Sequence, residues 1–297
     1  MPLRRPIRLS FGFSMYYLLS MNTAVKFDAL KENLQSCRRV LVAFSGGVDS
    51  AFVLWTASQV LPKNDVFAVT AQSASLASEE LQEAKELAQN FGIENHWVIE
   101  TKELEIEGYR ANQPSRCFFC KDELYSKLTE LAKKHSIPYI LDGFNASDVG
   151  DFRPGRKAGE QWSIKSPLLE AGLTKPEIRE IAKAHNLSFW DKPQMACLSS
   201  RIPYGQEVTV EKLTQVALAE KFLHELGFRQ VRVRHHEKIA RIEVEPEEWS
   251  RFSDFDLRSL IQNRLREIGF LYVTLDLVGY RTGSLNEALK KGAGNGG

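Results

Sequence analysis

Short apolar runs alternate with helical patterns along the first two thirds of the chain. Runs of strand length lie at residues 38–44, 66–73, 96–100 and 138–145, and their continuous apolar character predicts buried parallel strands. Helices are predicted at residues 45–61, 78–92, 117–137 and 173–186, the last with a capping box formed by Thr174 and Glu177. This alternation predicts an α/β fold with a doubly wound parallel sheet, which binds ligands at the carboxyl ends of its strands.

After about Arg201 the pattern changes. It predicts a helix, two adjacent strands, a long helix and a last strand, at residues 210–226, 230–236, 238–246, 247–268 and 271–280. A β-hairpin with flanking helices is an α+β arrangement, so we expect a second, smaller domain. The predicted division is a leader at 1–22, a first domain at 23–203, a second at 204–289 and a disordered tail at 290–297.

The first twenty residues combine a basic start with a mildly apolar run, a faint likeness to a signal peptide. Serines interrupt the run, and no clean small-residue cleavage site follows it. A disordered leader or an extended start, with Met21 as the natural first residue, is therefore the favoured interpretation. No other segment is apolar enough to cross a membrane, so a cytoplasmic protein is expected.

Composition narrows the class of protein. Among the 297 residues, 43% hydrophobic and 26% charged side chains are typical of a globular protein. The net charge of +1 argues against bulk binding to nucleic acid or to a membrane surface. Four cysteines are too few for a disulfide scaffold in a chain of this length, so we expect reduced thiols.

A glycine-rich loop, SGGVDS at residues 45–50, follows the first predicted strand and opens a helix. Its glycines let the backbone approach a phosphate, and the helix start offers unsatisfied N–H groups to an anion. The Walker A lysine is absent, which excludes a γ-phosphate-transferring P-loop. The loop resembles the PP-loop of the N-type ATP pyrophosphatases, which implies cleavage of ATP between its α- and β-phosphates. The predicted nucleotide-binding residues here are Ser45, Gly46, Gly47, Ser50 and Asp49, the last also a candidate Mg²⁺ ligand.

Two further stretches suit a nucleotide site. Residues 142–148, DGFNASD, follow the fourth predicted strand, and Asp142 and Asn145 are candidate nucleotide contacts there. A polar Asx-type turn is the alternative. Residues 155–157, Gly-Arg-Lys, can clamp phosphates, but a solvated run of charge is equally consistent with them.

Cys197 lies in a loop of mixed polarity, PQMACLSSR at residues 193–201. A lone cysteine is more often a small buried hydrophobe than a nucleophile. Arg201, Lys192 and the loop hydroxyls favour a thiolate here, so Cys197 is a candidate nucleophile.

Six motifs together resemble the LarE family over residues 26–289: SGGVDS, RCFFCK, DGFNASD, SPLLEAGLTKPEIREIAKAHNL, FWDKPQMACLSSRIPYG and GYRTGSLNE. CLSSR and GYRTGSLNE separate this resemblance from other PP-loop enzymes. LarE proteins are ATP-dependent sulfurtransferases that help to build the nickel-pincer nucleotide cofactor of lactate racemase. The resemblance implies a fold of the adenine nucleotide alpha hydrolase type, a substrate-binding and oligomerisation domain at 204–289, and a homo-oligomer that works with other proteins of this biosynthesis.

The resemblance also implies the reaction. ATP adenylates a carboxylate of pyridinium-3,5-biscarboxylic acid mononucleotide, and a sulfur nucleophile displaces AMP to give a thiocarboxylate. In family members with a single site cysteine, that cysteine donates its sulfur and becomes dehydroalanine, and Cys197 matches its position. Arg201 in the same loop is a further predicted catalytic residue.

This sequence adds Cys117 and Cys120, whose spacing places both sulfurs on one face of a helix start. With Cys197 they make three thiolates, which resembles a three-cysteine LarE subgroup and is enough to hold a [4Fe–4S] cluster with one open iron. In that subgroup the open iron is thought to carry the transferred sulfide, and because sacrificial chemistry has no use for a neighbouring CxxC, the cluster is the expected sulfur carrier here, with a sacrificial Cys197 as the alternative mechanism. Half of a zinc site, a redox-active dithiol and incidental core cysteines are the alternatives.

The substrate phosphate requires a cationic pocket. Arg232 and Arg234 alternate along one predicted strand, so their guanidinium groups project from the same face, and the planar fork of arginine suits phosphate. Arg281 and Glu220 match family positions around that site.

The SGGVDS loop is also compatible with other functions. A PP-loop ligase or a tRNA-thiolating enzyme would use another acceptor, and a non-enzymatic sensor would bind ATP or AMP without cleaving ATP. The near-neutral charge argues against an RNA-binding domain, and no glutaminase domain that would supply ammonia is recognisable.

Overall fold

The computed structural model describes residues 22–150, 154–193, 196–281 and 283–286. The chain forms two compact units. The first contains Met1–Gln72, Glu79–Glu100 and Lys121–Lys192, and the second contains Ser73–Ser78, Thr101–Cys120 and Pro193–Gly297. The second unit thus takes two short segments from within the predicted first domain, and the predicted domain boundaries stay a prediction. The leader predicted at 1–22, apart from its last residue, and the tail predicted at 290–297 lie outside the described residues.

Four parallel strands form the sheet of the first unit, in the order β3-β2-β1-β4. They are β1 Val40–Ala43, β2 Val66–Gln72, β3 Asn95–Glu100 and β4 Tyr139–Leu141. In register, Val40 of β1 lies between Val66 and Tyr139. The chain winds outwards to β3 and then crosses to the far side of β1, which confirms the predicted doubly wound parallel sheet. The loops that follow β1 and β4 therefore leave the sheet side by side.

The helices of the first unit follow the predicted pattern. They are α1 Thr23–Cys37, α2 Val48–Val60, α3 Ser78–Asn90, α5 Arg116–Lys134, α6 Gly155–Gln161, α7 Pro167–Glu170 and α8 Lys175–Ala184, with α3 and α5 extending into segments of the second unit. Helix α2 is central, since side chains around its whole circumference are buried. At the start of α8 the Glu177 carboxylate accepts from the Thr174 N–H at 2.8 Å, which confirms that part of the predicted capping box.

The second unit contains the predicted hairpin. Strands β5 Val231–His236 and β6 Ile239–Val244 are antiparallel, and β7 Tyr272–Leu275 pairs parallel with β6. Helices α4 Glu107–Arg110, α9 Val210–Glu225 and α10 Phe255–Ile268 complete its helices among the described residues. Leu223 of α9 and Leu265 of α10 pack with Val233 and Ile242 of the hairpin in one buried core. This arrangement confirms the predicted α+β class.

Two predicted elements of the second unit are wrong in extent. The helix predicted at 247–268 is divided into a 3₁₀ segment, Pro246–Ser253, and α10, because the Asp254 side chain accepts from the N–H groups of Asp256 and Leu257 and starts a new helix. The strand predicted at 271–280 ends at Leu275, because the Asp276 carboxylate accepts from two N–H groups that follow it and turns the chain. No helix in the described part of the chain is long and apolar enough to span a bilayer.

Candidate active site

The SGGVDS loop joins β1 to α2, as predicted. The Ser45 and Ser50 hydroxyls lie 3.1 Å apart, and the Ser50 hydroxyl donates to the Gly47 carbonyl at 3.1 Å. Gly46 has φ +74°, and a Cβ there would lie 3.0 Å from the Cβ of Ala84 in α3, so only glycine suits this position. In the described chain no side chain caps Gly47, so the first N–H groups of α2 stay available to an anion.

Asp49 lies in the first turn of α2 and is half-buried. Its Oδ2 lies 3.3 Å from the Lys175 ammonium, while its buried Oδ1 has no hydrogen-bond partner among the described residues. Burial raises the pKa of Asp49 above its ordinary value, although Lys175 opposes the shift. A buried, unused carboxylate oxygen at a helix start fits a magnesium ligand, since Mg²⁺ commonly takes one or two carboxylates and completes its shell with phosphates and water.

The loop after β4 packs against the start of α2. A Cβ on Gly143 would lie 2.7 Å from the Ser50 nitrogen, so the two backbones are in close contact. The Asp142 carboxylate accepts from the Phe144 N–H, the Ser166 hydroxyl and the Tyr125 hydroxyl, at 3.1, 2.8 and 2.9 Å. This is the Asx-type turn that the sequence left as an alternative, and a nucleotide contact by Asp142 stays a prediction.

In the same loop, only one of the two polar side-chain atoms of Asn145 forms a hydrogen bond within the described chain. The oxygen accepts from the Ser147 N–H at 2.9 Å, whereas Nδ2 is buried without a partner among the described residues. A buried amide donor without an acceptor is costly unless a ligand completes it. Asn145 therefore remains the stronger nucleotide candidate of this loop.

Two cations that the sequence analysis selected in the first unit have partners of their own: Arg156 as a candidate phosphate clamp, and Lys192 as a residue that favours a Cys197 thiolate. Arg156 is the second residue of α6 and pairs with Glu160 at 3.0 Å on the helix surface. Lys192 pairs with Glu83 at 2.7 Å and donates to the Gly46 carbonyl at 3.1 Å. Lys192 thus contacts the backbone of the SGGVDS loop, a contact that its distance in sequence did not indicate.

The three candidate site cysteines all belong to the second unit. Cys117 and Cys197 are exposed, while Cys120 is half-buried and packs against the apolar cluster that contains Tyr109 and Leu198. Cys117 and Cys120 occupy the first turn of α5. Cys120 therefore has part of the core-packing role that the sequence left open, and Cys117 and Cys197 are the accessible thiols.

The cysteine set does not fit a metal cluster in this structure. Among the described residues, which include all three cysteines, no group of three or more His, Cys, Asp or Glu side chains is arranged to hold a metal ion. Cysteine thiolates are the usual ligands of iron–sulfur clusters, but the number of thiols alone does not make a site. The [4Fe–4S] cluster predicted at Cys117, Cys120 and Cys197 stays a prediction without support from the geometry.

Arg116, which the sequence analysis did not select, is close to these cysteines. It is the first residue of α5 and only 3% exposed, and its Nη1 donates to the Ser199 carbonyl at 2.8 Å and to Asn112 Oδ1 at 2.5 Å. Burial alone lowers the pKa of the guanidinium, but Cys197 and then Cys117 raise it above its ordinary value. The arginine directly before the CxxC motif was the available signal.

Arg201 is fixed in the loop that carries Cys197. Its Nε and Nη2 bind Glu220 at 2.8 Å each, and Nη1 donates to the carbonyls of Ala196 and Cys197 at 2.6 and 3.3 Å. Burial alone raises the pKa of Glu220, yet Arg201 and the Val233 N–H hold it below its ordinary value. The pair therefore remains ionised and holds the loop in place. The predicted catalytic role of Arg201 is untested.

The arginines predicted to bind the substrate phosphate lie in the second unit. Arg234 is buried and binds Glu243 through two hydrogen bonds, at 3.0 and 2.9 Å. Arg232, also buried, stacks over Tyr280 with 5.5 Å between the guanidinium carbon and the ring centroid, and burial followed by the charge of Arg201 lowers its pKa. Arg281 is half-buried and lies 3.3 Å from Asp276.

The residues predicted to bind the substrate phosphate lie in or beside a buried network of ion pairs. Glu220 accepts from Arg201 and from the N–H of Val233 on β5, which places this carboxylate beside the strand that carries Arg232. The Arg234 guanidinium also donates to the Ser200 carbonyl at 2.7 Å and to the Ser284 hydroxyl at 2.6 Å. Arg201 and Arg234 thus share hydrogen bonds with the loop that carries Cys197, within the second unit.

The doubly wound sheet and the Ser-Gly-Gly loop between β1 and α2 define an ATP-using domain of the PP-loop class. In agreement, the asparagine synthase family model matches residues 27–110. The match covers most of α1, the SGGVDS loop and the first three strands.

Comparison over nearly the whole chain narrows the family. The chain is 39% identical over 269 residues to the pyridinium-3,5-bisthiocarboxylic acid mononucleotide synthase of Lactiplantibacillus plantarum, which covers 90% of this chain and 96% of that protein. It is 46% identical over 267 residues to an uncharacterised protein of Synechocystis sp., and this alignment covers 90% of this chain and 98% of that protein. A third relative, an uncharacterised protein of Methanocaldococcus jannaschii, is 28% identical, and the alignment covers 86% of this chain and 98% of that protein. The chain belongs to the family of the synthase, the LarE family.

Proposed function

We propose that this protein is an ATP-dependent sulfurtransferase that converts the carboxylates of pyridinium-3,5-biscarboxylic acid mononucleotide to thiocarboxylates. The match to the Lactiplantibacillus plantarum synthase over 90% of the chain carries the proposal. The unpartnered Oδ1 of Asp49 at the SGGVDS loop supports ATP with Mg²⁺ as the activating substrate. The exposed Cys197, held by hydrogen bonds to its own loop, supports a sulfur nucleophile.

Activation takes place at the SGGVDS loop. The substrate carboxylate attacks the α-phosphate of ATP, pyrophosphate leaves, and an acyl adenylate forms. The free N–H groups at the start of α2 and the hydroxyls of Ser45 and Ser50 stabilise the negative charge of the phosphates. Asp49 would hold Mg²⁺, which when bound neutralises charge on the leaving pyrophosphate.

Sulfur transfer uses Cys197. Its thiolate attacks the acyl carbon, AMP leaves with the electron pair of the broken C–O bond, and a thioester forms. A base then removes the Cα proton of Cys197, the Cβ–S bond breaks, and the thiocarboxylate leaves with the sulfur while dehydroalanine remains at position 197. Each cysteine supplies one sulfur, so two carboxylates consume two protein chains.

The substrate phosphate is assigned to Arg232, Arg234 and Arg281, with Glu220 fixing the neighbouring Arg201. Buried guanidinium groups bind phosphate strongly because water competes little with their hydrogen bonds. We also propose a cytoplasmic enzyme, since it consumes ATP and relies on reduced thiols, and a homo-oligomer that acts with other proteins of nickel-pincer nucleotide biosynthesis. Light scattering of the purified chain tests the oligomer.

The deciding experiment incubates the protein with ATP, Mg²⁺ and pyridinium-3,5-biscarboxylic acid mononucleotide, followed by mass spectrometry of nucleotides and protein. We expect AMP, pyrophosphate, a thiocarboxylated product, and dehydroalanine at position 197. Cys197→Ala should release pyrophosphate yet form no thiocarboxylate. Cys37→Ala is the matched control, because Cys37 is a buried cysteine of the first unit and should leave product formation unchanged.

Each other result identifies another function. Pyrophosphate release only with a different carboxylate or with tRNA would identify another PP-loop ligase or a tRNA-thiolating enzyme. Binding of ATP without any pyrophosphate would indicate a sensor. An oxygen-sensitive iron–sulfur chromophore after anaerobic reconstitution, with repeated turnover on added sulfide and loss of both in Cys117→Ala, would replace the sacrificial Cys197 by a cluster-bound sulfide.

A further inference from the structure

A lysine from a distant part of the sequence binds the backbone of the SGGVDS loop. The Lys192 ammonium donates to the Gly46 carbonyl at 3.1 Å, and it pairs with the Glu83 carboxylate of α3 at 2.7 Å. Glu83 is next to Ala84, against which Gly46 packs so closely that a Cβ on the glycine would lie 3.0 Å away. Lys192 thus joins the loop to α3 at the point where the two are already in contact.

This contact fixes the direction of the peptide between Gly46 and Gly47. A trans peptide is planar, so its N–H points away from the group that binds its carbonyl. The Gly47 N–H therefore faces away from Lys192, and it makes a long hydrogen bond of 3.4 Å to the Ser45 hydroxyl. That hydroxyl lies 3.1 Å from the Ser50 hydroxyl, so the N–H and the two hydroxyls are close together. A phosphate oxygen can replace the long hydrogen bond, because an anion is the better acceptor.

The position of Lys192 is itself fixed by the chain. Arg179 of α8 donates to the Trp190 carbonyl through Nη1 and to the Lys192 carbonyl through Nη2, both at 2.6 Å. The Lys192 side chain is only 19% exposed, so water competes weakly for its ammonium. These bonds hold the lysine at the loop without help from a ligand, and such rigidity lowers the entropy cost of binding.

We propose that Lys192 is a positioning residue for the pyrophosphate portion of ATP: by holding the Gly46 carbonyl, it directs the Gly47 N–H towards the phosphates. The β- and γ-phosphates are the most strongly charged part of ATP, and a helix start with free N–H groups favours them. The assignment rests on the proposed function for the identity of the nucleotide. It gives Lys192 a role at the nucleotide loop, where the sequence pattern had indicated an effect on Cys197.

The test compares the affinity for ATP with Mg²⁺ and the affinity for AMP, both by calorimetric titration of the full-length protein. Lys192→Met removes the ammonium and keeps most of the length of the side chain. We expect ATP binding to weaken about tenfold, roughly the loss of one hydrogen bond, while AMP binding stays within about twofold of the wild type. Lys192→Arg, which can still donate to a carbonyl and pair with Glu83, should recover most of the ATP affinity.

Two further variants separate the carbonyl contact from other effects of the charge. Glu83→Gln removes a pair with a carboxylate that is 56% exposed and leaves the lysine able to bind Gly46, so ATP affinity should fall by less than about threefold. Lys183→Met is the matched control, because Lys183 is an exposed lysine of α8 whose ammonium lies 4.7 Å from the Trp190 ring centroid. It should bind ATP like the wild type.

Unchanged ATP affinity in folded Lys192→Met would overturn the proposal. An equal loss of ATP and AMP affinity, or an equal loss of ATP affinity in Glu83→Gln, would also overturn it, since either indicates a merely structural role. Should Lys192→Met fail to fold, the wild type decides, because the amide signal of isotope-labelled Gly47 must shift when ATP and Mg²⁺ are added, and an unmoved signal contradicts the assignment. The expected pattern of ATP and AMP affinities with no thiocarboxylate formed would instead count against the proposed function alone.

Discussion

Asp49 carries a charge in a place where burial disfavours it. Its raised pKa means that the folded protein resists ionisation of this carboxyl, with Lys175 as partial compensation. A site that binds a cation at this carboxylate is less stable when it is empty, since the charge is then incompletely paired. The ionised carboxylate of Asp49 therefore lowers the stability of the empty protein and is also the group that would bind the cation.

The Asp49→Asn variant tests the stability effect and the catalytic role of this charge separately. We expect pyrophosphate release to fall roughly a hundredfold or more, because a charged contact to the metal and phosphates is lost. At low pH the carboxyl is neutral in both proteins. As the pH rises through the raised pKa, only the wild type must ionise a buried group, so the variant should become the more stable of the two. Melting temperatures of both proteins from pH 4 to 8 measure this difference, and a variant that loses stability relative to the wild type as the pH rises would contradict it.

Single residues also mark the limit of prediction from sequence. The nucleotide loop was predictable because two glycines and a helix start have few other uses after a buried strand. The contact between Arg116 and the Ser199 carbonyl was not, because a bond between residues 83 positions apart is a property of three-dimensional packing. Arg201 was predicted to be catalytic from its place in the motif, whereas in the structure its guanidinium forms an ion pair with Glu220.

At the scale of elements, the approach of the β4 loop to α2 is the tightest constraint on the nucleotide site. The Gly143 backbone lies so close to Asp49 and Ser50 that an added Cβ would come within 3.0 Å or less of their backbone atoms. Backbone cannot rotate away as a side chain can. A change at this glycine therefore moves the start of α2 itself.

Gly143→Ala should lower ATP affinity about tenfold or more and destabilise the protein by about 1–3 kcal/mol, as overpacking does. Gly159→Ala is the matched control. Gly159 lies inside α6, a Cβ there would find its nearest contact at 3.7 Å, and alanine favours a helix by about 0.5–1 kcal/mol. Calorimetric titration with ATP and thermal melts compare the two variants. Equal ATP affinity in both would show that the β4 loop does not set the geometry of α2.

The same scale explains which element boundaries were predictable. Strands β1 and β2 and helix α8 were located closely, because continuous apolar runs and a capping box are local signals. The break at Asp254 was missed because apolar periodicity continues across it, and the hydrogen bonds of one side chain decide where the helix begins.

For the molecule as a whole, the proposed function assigns ATP and the substrate phosphate to different units. The SGGVDS loop lies in the first unit, and Arg232 lies in the second. Arg232→Ala should therefore weaken binding of the pyridinium mononucleotide about tenfold or more, because a buried charge-assisted contact to phosphate is removed. ATP affinity should stay within twofold of the wild type.

Calorimetric titration of each ligand separately provides the measurement, and Ser45→Ala provides the reverse case, with weakened ATP binding and normal mononucleotide binding. Loss of ATP affinity in Arg232→Ala with normal mononucleotide affinity would show that the assignment of ligands to units is wrong.

The composition of the second unit could not be read from local patterns. Its segments Ser73–Ser78 and Thr101–Cys120 sit between elements of the parallel sheet, where the alternation of strands and helices assigns them to the first domain. Their membership depends on long-range bonds, such as the Leu198 N–H to the Ser75 carbonyl at 3.0 Å. Sequence periodicity contains no information about such bonds.

Those discontinuous segments have a consequence for biosynthesis on the ribosome. Cys197 follows Cys120 by 77 residues, so at about 5–20 residues per second the CxxC motif emerges roughly 4–15 seconds before the loop that completes its surroundings. During that interval Cys117 and Cys120 have neither the Cys197 loop nor the Ser199 carbonyl that Arg116 binds. Cys120, which is half-buried in the folded chain, is then as open to cellular oxidants as Cys117, so we expect the CxxC motif to be most easily oxidised during synthesis.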